Sequence, residues 1–233
     1  MKFSRPALNL TFLCLAVSSL SAHAGRPLQT EDAGVLEART CEIEGATARE
    51  RVPGVATGRE TSLQVACGAG FESQFSLAVS RASSGGASDS GWRIGGKTGL
   101  WKGQGDDAPA FTLAWGVTGV KAAGSGWETG TVQALGVFSA PLAGMTMHLN
   151  LGHVRDVAAG QTSTPWGVAL EHPGFGAWAP MAEIFGDDRG APWWNLGLRW
   201  TLAKDQAYVD VSWGRQMAPG RPTLATAGFK FVF

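Results

Sequence analysis

The sequence predicts an all-β fold, a closed antiparallel transmembrane β-barrel, on three observations. Apolar and polar residues alternate with a period of two along most of the chain, which is typical of strands with two different faces. Glycine is frequent (33 residues), tryptophan occurs 10 times, and charged residues make up only 16 % of the chain. Beyond an N-terminal export signal, the chain has no apolar run of about 18 residues, as a transmembrane helix would need.

The first residues have the composition of a secretory signal peptide. Lys2 and Arg5 precede an apolar run from Ala7 to Leu20, and Ala22-His23-Ala24 supplies the small residues of a cleavage site. An uncleaved membrane anchor is the alternative, but the apolar run is short for a membrane span. The expected organisation is a signal peptide over residues 1–24, a periplasmic N-terminal segment over 25–34 and the barrel over 35–233.

The polar face of the strands favours an outer-membrane barrel over a soluble β-sandwich. Soluble sheets have outward faces rich in Lys, Glu and Thr, whereas here the polar face is rich in glycine and lightly charged. A barrel in lipid has apolar residues outside and polar residues inside. Its sheet must also close, because an open edge would leave unpaired backbone groups in hydrocarbon.

Twelve segments show this alternation, and ten strands is the second choice. The expected strands are residues 35–50, 61–69, 72–82, 91–102, 109–121, 127–140, 145–155, 163–171, 177–186, 192–203, 206–214 and 222–233. An even number of strands places both termini on the periplasmic side. The stretches RVPGVATGRE, ASSGGASDSG and RDVAAGQTS are then expected to be outer loops.

The alternation also places ten ionisable residues on the inward face. They are Glu42, Glu44, Arg93, Lys97, His148, Glu171, Glu183, Arg199, Asp210 and Lys230. Two interpretations stay open: the charges neutralise each other and fill a narrow lumen, or they form a constriction that selects small polar solutes. Both signs occur in comparable number, so no strong preference for anions or cations is expected.

Cys41 and Cys67 are the cysteines that remain after signal removal, and an exported protein meets an oxidising compartment. A first hairpin with its tip near Gly54 places them opposite each other on the outward face. We therefore predict a cross-strand disulfide, with two free thiols as the alternative because bridges between adjacent strands are often strained.

The stretch RPLQTEDAGVLEARTCEIEG resembles the start of a family of proteobacterial outer-membrane proteins assigned to transport or to a phenol-degradation (MetA-pathway) system. In that family an Arg-Pro-Leu-x-Thr-Glu-Asp segment precedes the barrel, and the first strand carries a Glu-x-Glu pair. The matching residues are Arg26, Pro27, Leu28, Thr30, Glu31, Asp32, Glu42 and Glu44. The resemblance implies a barrel in the outer membrane and passage of hydrophobic or aromatic solutes. The C-terminal Phe229, Phe231 and Phe233 resemble the signal that such barrels present to the insertion machinery.

The pattern predicts neither an enzyme nor a metal or cofactor site. His148 lies near Asn150, but no serine is evidently placed beside them, as a hydrolase would need. The acidic pairs at 106–107 and 187–188 lie in Gly-rich loops and are expected to be solvated turns. The charge, 19 basic against 19 acidic residues, gives no basic excess for a nucleic-acid partner.

The leading functional hypothesis is a channel or uptake porin for small molecules in the cell outer membrane. A closed, non-transporting barrel with a structural or interaction role is the first alternative. A membrane lipid hydrolase is the second alternative, and it would need a Ser–His contact on the barrel surface. The expected partners are outer-membrane lipid, the barrel-insertion machinery and a small solute.

Overall fold

The computed structural model describes residues 27–105 and 108–233, which form one closed antiparallel sheet of twelve strands. The expected signal peptide, together with Asp106 and Asp107, lies outside the described residues. The strands are β1 (Cys41–Arg51), β2 (Gly58–Gly70), β3 (Ser73–Ser84), β4 (Ala87–Lys102), β5 (Ala110–Lys121), β6 (Glu128–Leu142), β7 (Met145–Asp156), β8 (Gln161–Ser163 and Trp166–Glu171), β9 (Trp178–Gly186), β10 (Trp193–Ala203), β11 (Ala207–Gln216) and β12 (Thr223–Val232). The predicted fold class and strand number are confirmed.

The eighth strand consists of two segments because a proline interrupts it. Pro165 has no N–H group and therefore cannot donate to the hydrogen-bond ladder. Its carbonyl still accepts a hydrogen bond from the Gly152 N–H at 3.0 Å. Both segments pair with β7 in one continuous register, so the interruption does not open the sheet.

The barrel closes between its first and last strands. The register runs from Glu42 opposite Val232 to Arg51 opposite Thr223. Beyond the last regular pair, the N–H of Cys41 donates to the Phe233 carbonyl and the N–H of Phe233 donates to the Cys41 carbonyl, each at 2.8 Å. We call the rim that holds Cys41 and Phe233 the terminal rim, and the other end of the barrel the opposite rim.

The outward face of the sheet is an apolar band. Exposed apolar side chains line it from strand to strand: Leu63, Val65, Phe75, Leu77, Val79, Ile94, Leu113, Leu151, Val168, Ile184, Leu196, Val211, Phe229 and Phe231. A soluble monomer rarely exposes a contiguous apolar surface of this kind, whereas a barrel in lipid requires one. None of the described residues belongs to a helix that is long and apolar enough to span a membrane.

Two local expectations are wrong. The first strand begins at Cys41 instead of residue 35, because the chain before it runs inside the barrel. The stretch ASSGGASDSG forms the end of β3 and the start of β4 instead of a long loop. Its turn is only Gly85-Gly86, with φ values of 59° and 89°, and two positive φ angles are what a tight two-residue hairpin needs.

A disulfide joins the first two strands at the terminal rim. Cys41 lies directly opposite Cys67 in the β1–β2 ladder, and the two sulfur atoms are 2.11 Å apart. The bond therefore holds β1 to β2 next to the point where β1 also pairs with β12.

Deleting Phe233 should impair closure of the barrel. The deletion removes the two backbone hydrogen bonds to Cys41, a loss of roughly 2 kcal/mol at about 1 kcal/mol each. The yield of folded barrel after refolding in detergent, measured by heat-dependent mobility on gels, should fall.

The matched control is Phe233→Ala, which keeps both backbone hydrogen bonds and loses only the aromatic ring. It should refold close to the wild-type yield in detergent, where no insertion machinery is present. Equal yields for the deletion and the wild type would contradict the importance of this closing pair.

Candidate functional site in the barrel interior

All ten ionisable residues expected in the lumen are placed on the inward face. Six of them are buried: Glu42, Glu44, Arg93, His148, Glu183 and Asp210. The other four, Lys97, Glu171, Arg199 and Lys230, are partly buried. Because the barrel exterior is apolar, these side chains give the interior its polar character.

The chain before β1 also lies inside the barrel. We call residues 27–40 the luminal segment. The expectation of a periplasmic segment over residues 25–34 is corrected for its described part, because residues 27–34 contact inward side chains of several strands. Leu28 is buried against Ala169 and Met181, at the start of a path that crosses the interior towards β1.

The carboxylate of Glu183 on β9 anchors the first part of the luminal segment. It accepts hydrogen bonds from the Gln29 N–H (2.8 and 2.9 Å), from the Thr30 N–H (2.8 Å) and from the Thr30 hydroxyl (2.8 Å). Asn195 on β10 donates a further hydrogen bond to the same carboxylate at 2.8 Å. A buried carboxylate needs such donors, and Glu183 obtains most of them from the luminal segment.

Inward side chains of other strands form further hydrogen bonds with the backbone of the luminal segment. The amide of Asn150 accepts from the Glu31 N–H (2.6 Å) and donates to the Glu31 carbonyl (2.9 Å), as a neighbouring strand would. The Ala33 N–H donates to the Ser139 hydroxyl at 2.9 Å, and the Thr112 hydroxyl donates to the Ala33 carbonyl at 2.7 Å. These contacts satisfy buried backbone groups that have no ladder of their own.

Lys97 on β4 is the cation that faces the luminal segment. Its ammonium group lies 2.8 Å from Glu31 Oε2 and 3.7 Å from Asp32 Oδ1, and it donates to the Asp32 carbonyl at 3.0 Å. Burial raises the pKa of Glu31 above its ordinary value, and the charge of Lys97 offsets part of this effect. Burial is also the largest influence on Asp32 and acts in the same direction, but the charges of Lys97, Lys230 and His148 and the Gly34 N–H together outweigh it and hold the pKa of Asp32 below its ordinary value.

Two glycines of the wall leave room for the segment. A Cβ atom at Gly197 would lie 2.6 Å from Cγ of Pro27, and one at Gly167 would lie 2.6 Å from Oγ1 and 3.3 Å from Cβ of Thr30. Real Cβ atoms do not approach other atoms at 2.6 Å, so a side chain at either position would displace the segment as long as Pro27 and Thr30 are unchanged. The close packing of the luminal segment against the wall thus explains part of the glycine content of the inward face.

The remaining lumenal charges also form clusters. Lys230 on the closing strand lies 2.9 Å from Glu42 Oε2 and 2.8 Å from Glu44 Oε1 on β1. The ion pairs therefore lie directly across the β1–β12 junction, where the barrel closes.

A third cluster lies near the terminal rim, on β7, β8, β10 and β11. Arg199 contacts Glu171 at 3.2 Å and sits opposite Asp210 in the β10–β11 ladder. Glu171 Oε2 is also 3.7 Å from His148 Nε2. The structure thus brings eight of the ten predicted residues into groups of mixed charge, whereas Glu183 is held by hydrogen bonds and Arg93 takes part in none of these ion pairs.

A serine does lie beside His148, contrary to the sequence-based expectation. Ser139 Oγ is 2.8 Å from His148 Nδ1. This contact lies inside the barrel and not on its surface, and Ser139 also accepts the N–H of Ala33 from the luminal segment. At 3.7 Å, His148 and Glu171 are beyond hydrogen-bond distance, so the group lacks the connected acid of a catalytic triad. This arrangement therefore gives the lipid-hydrolase hypothesis no support.

The sequence pattern does not indicate the luminal position of Thr30, Glu31 and Asp32. They belong to the Arg-Pro-Leu-x-Thr-Glu-Asp motif, which the resemblance places before the barrel and the structure places inside it. One sequence feature does point to a segment inside the barrel. Inward polar residues such as Asn150 need hydrogen-bond partners, and the neighbouring small inward residues cannot supply them.

Comparison with known proteins gives a family and a fold. Residues 12–233 match the model of the family described as Uncharacterised conserved protein UCP029691. The chain belongs to this family. No curated protein matches its sequence. The assignment to transport or phenol degradation that the N-terminal resemblance implies is not contained in the family description.

Solved porins share the barrel fold of this family member. The structure titled "KdgM porin in complex with disordered oligogalacturonate" superposes with a TM-score of 0.62 at 11 % identity, covering 82 % of this chain and 99 % of that chain. A second KdgM porin structure gives 0.54 at 10 % identity, with 82 % and 99 % covered. A NanC porin gives 0.53 at 10 % identity, with 81 % and 98 % covered. At this level of identity the similarity establishes the fold.

Replacing Lys97 by Met should loosen the luminal segment, because Glu31 would remain buried without its counter-ion. Breaking a buried ion pair from one side costs roughly 3 kcal/mol, which corresponds to roughly a hundredfold loss of protection. Hydrogen–deuterium exchange of residues 29–36 measures this change directly.

The double variant Glu31→Gln/Lys97→Met removes both charges and should recover most of the protection. Lys102→Met, at an exposed position on the same strand, is the control and should exchange like the wild type. Fast exchange of residues 29–36 in the wild type itself would contradict the placement of the segment.

Proposed function

We propose that this protein is an outer-membrane channel for the uptake of small solutes, in which the luminal segment narrows the pore. The observation that carries the proposal is a closed barrel with an apolar exterior and a polar interior, partly filled by a segment that only non-covalent contacts hold. The shared fold of the KdgM and NanC porins supports this assignment.

The location in the outer membrane follows from the two faces of the sheet. The apolar band can lie in lipid, since the sheet is closed and its backbone groups are paired. Both termini of the barrel wall lie at the terminal rim, which we assign to the periplasmic side. The C-terminal aromatic row of β12 is part of the lipid-facing band.

The lumen between the luminal segment and the opposite rim favours cationic or neutral polar solutes. Acidic residues occupy inward positions there, among them Glu50, Glu60, Asp89 and Asp156. Arg93 is the basic residue on the inward face of this part of the described chain. A polar and acidic lining supports polar solutes better than the hydrophobic or aromatic ones that the family resemblance implies.

A closed, non-transporting barrel remains the second candidate, and the same segment favours it. The segment donates hydrogen bonds to Glu183, Asn150 and Ser139 and accepts one from Thr112, so it is held from several sides of the lumen. If these contacts persist in the membrane, the barrel would serve an envelope-structural or interaction role.

Single-channel recording in planar bilayers distinguishes the two candidates. The wild type should conduct weakly, and a variant without residues 27–36 should conduct several times more, with K⁺ permeating better than Cl⁻. A second variant has a Gly/Ser sequence of equal length in place of residues 27–36. It tests whether the hydrogen bonds between the segment and the wall restrict the pore, or only the volume that the segment occupies. If neither variant conducts although both show heat-dependent gel mobility, the channel proposal is wrong and the closed barrel is favoured.

A further inference from the structure

The outward face of the barrel carries cations near the opposite rim, where the apolar band ends. They are Arg49 (β1), Arg59 (β2), Arg81 (β3), Lys121 (β5), Arg155 (β7) and Arg215 (β11). On β11, for example, outward Val211 and Trp213 are followed by Arg215. In a membrane barrel this is the level at which lipid headgroups lie.

The placement of these cations is unfavourable without an added anion. Arg49 and Arg59 lie directly opposite each other in the β1–β2 ladder, and both are exposed. Like charges in such a pair destabilise a sheet. The ion pairs of the barrel interior are made by Lys97, His148, Arg199 and Lys230, and none of the six outward cations takes part in them.

A cleft lies on this surface at the end of β11. It has a volume of about 530 Å³, and Trp194, Arg215, Met217 and Arg221 are among its lining residues. Nε of Arg215 is buried and has no hydrogen-bond acceptor in the described part of the chain. A buried donor without an acceptor is unfavourable, and an incoming acceptor would remove this cost.

The walls of the cleft are fixed by the neighbouring connection between β9 and β10. The Met217 N–H donates to the Pro192 carbonyl at 2.8 Å, and the Gln216 side chain donates to the Ala191 carbonyl at 3.0 Å. Trp194 packs edge-on against Trp213, with ring centroids 5.0 Å apart. The cleft is therefore preformed, with two guanidinium groups beside an aromatic wall that continues into the apolar band.

We propose that this cleft binds the phosphate group of an anionic glycolipid in the surrounding membrane leaflet, and that the other cations bind headgroups of the same kind around the rim. Guanidinium groups match phosphate in charge and bind it in bidentate geometry. The continuity of the cleft with the lipid-facing band favours a lipid over a soluble anion, because an acyl chain can lie along Trp194 and Trp213 while the phosphate meets the arginines.

The assignment depends on the membrane location and not on transport. It places the opposite rim in the leaflet that contains phosphorylated glycolipid. Variants of the cleft should leave conductance unchanged, so failure of this proposal and failure of the channel proposal can be told apart.

Native mass spectrometry of the detergent-solubilised barrel tests the proposal. The probes are a bisphosphorylated lipid A and the dephosphorylated lipid with the same acyl chains. The wild type should retain the phosphorylated lipid at least about tenfold more strongly, as expected for charge-assisted contacts. Arg215→Gln/Arg221→Gln should abolish this difference, whereas Lys102→Gln/Lys204→Gln at the terminal rim should keep it.

Three outcomes would overturn the proposal: equal retention of the two lipids by the wild type, an unchanged preference in the arginine variant, or displacement of the lipid by equimolar inorganic pyrophosphate. The last outcome would identify a site for soluble anions. If the arginine variant does not fold, the comparison of the two lipids on the wild type, repeated at rising salt, decides alone. A preference for the phosphorylated lipid that weakens with salt supports the proposal, and no preference contradicts it.

Discussion

The hydrogen bonds of the Glu183 carboxylate are the interaction on which the arrangement of the lumen depends. A barrel closed by its own backbone ladder encloses polar side chains, and each of them needs a partner or water. Glu183 receives donors from Gln29 and Thr30, and this places the following residues within reach of Asn150 and Lys97. Glu183 thus fixes the first residues of the luminal segment, and the contacts of the following residues hold the segment as it continues towards the start of β1.

The charges of the lumen follow a common rule, in which one cation lies near two acids. Lys97 contacts Glu31 and Asp32, and Lys230 contacts Glu42 and Glu44. Arg199 likewise contacts Glu171 and lies opposite Asp210 in the β10–β11 ladder. Each group contains two carboxylates and one lysine or arginine. The interior therefore has an excess of acidic groups, although acidic and basic residues occur in comparable number among the ten predicted positions. Together with the acidic residues towards the opposite rim, this supports a preference for cations.

The sequence was sufficient for the features that depend on alternation. A period of two determines which residues face inward, so the barrel, its twelve strands and the inward placement of all ten ionisable residues could be predicted. The β1–β2 hairpin also placed Cys41 opposite Cys67, because register follows from the position of the turn. These inferences need only local pattern and the requirement that a sheet in lipid closes.

The contents of the lumen could not be predicted in this way. Residues 27–34 have no strand alternation, and their contacts with the barrel wall join positions 65 to 168 residues apart. The contact between Ser139 and His148 was missed for a related reason, since it requires the register between β6 and β7. The role of the inward glycines could not be predicted either. The sequence does not distinguish Gly167 from other small inward residues, and only the position of Thr30 shows that a side chain there has no room.

The most direct test of this account is a cross-link between the luminal segment and the barrel wall. The built Cβ position of Gly167 lies 3.3 Å from Cβ of Thr30, close to the separation in disulfides. The variant Thr30→Cys/Gly167→Cys should form this bond on mild oxidation of the folded barrel, and non-reducing peptide mass mapping would detect it. Thr30→Cys/Gly58→Cys, with the second cysteine near the opposite rim, should not. Absence of the 30–167 bond in the folded protein would contradict the central claim that the segment lies inside the lumen.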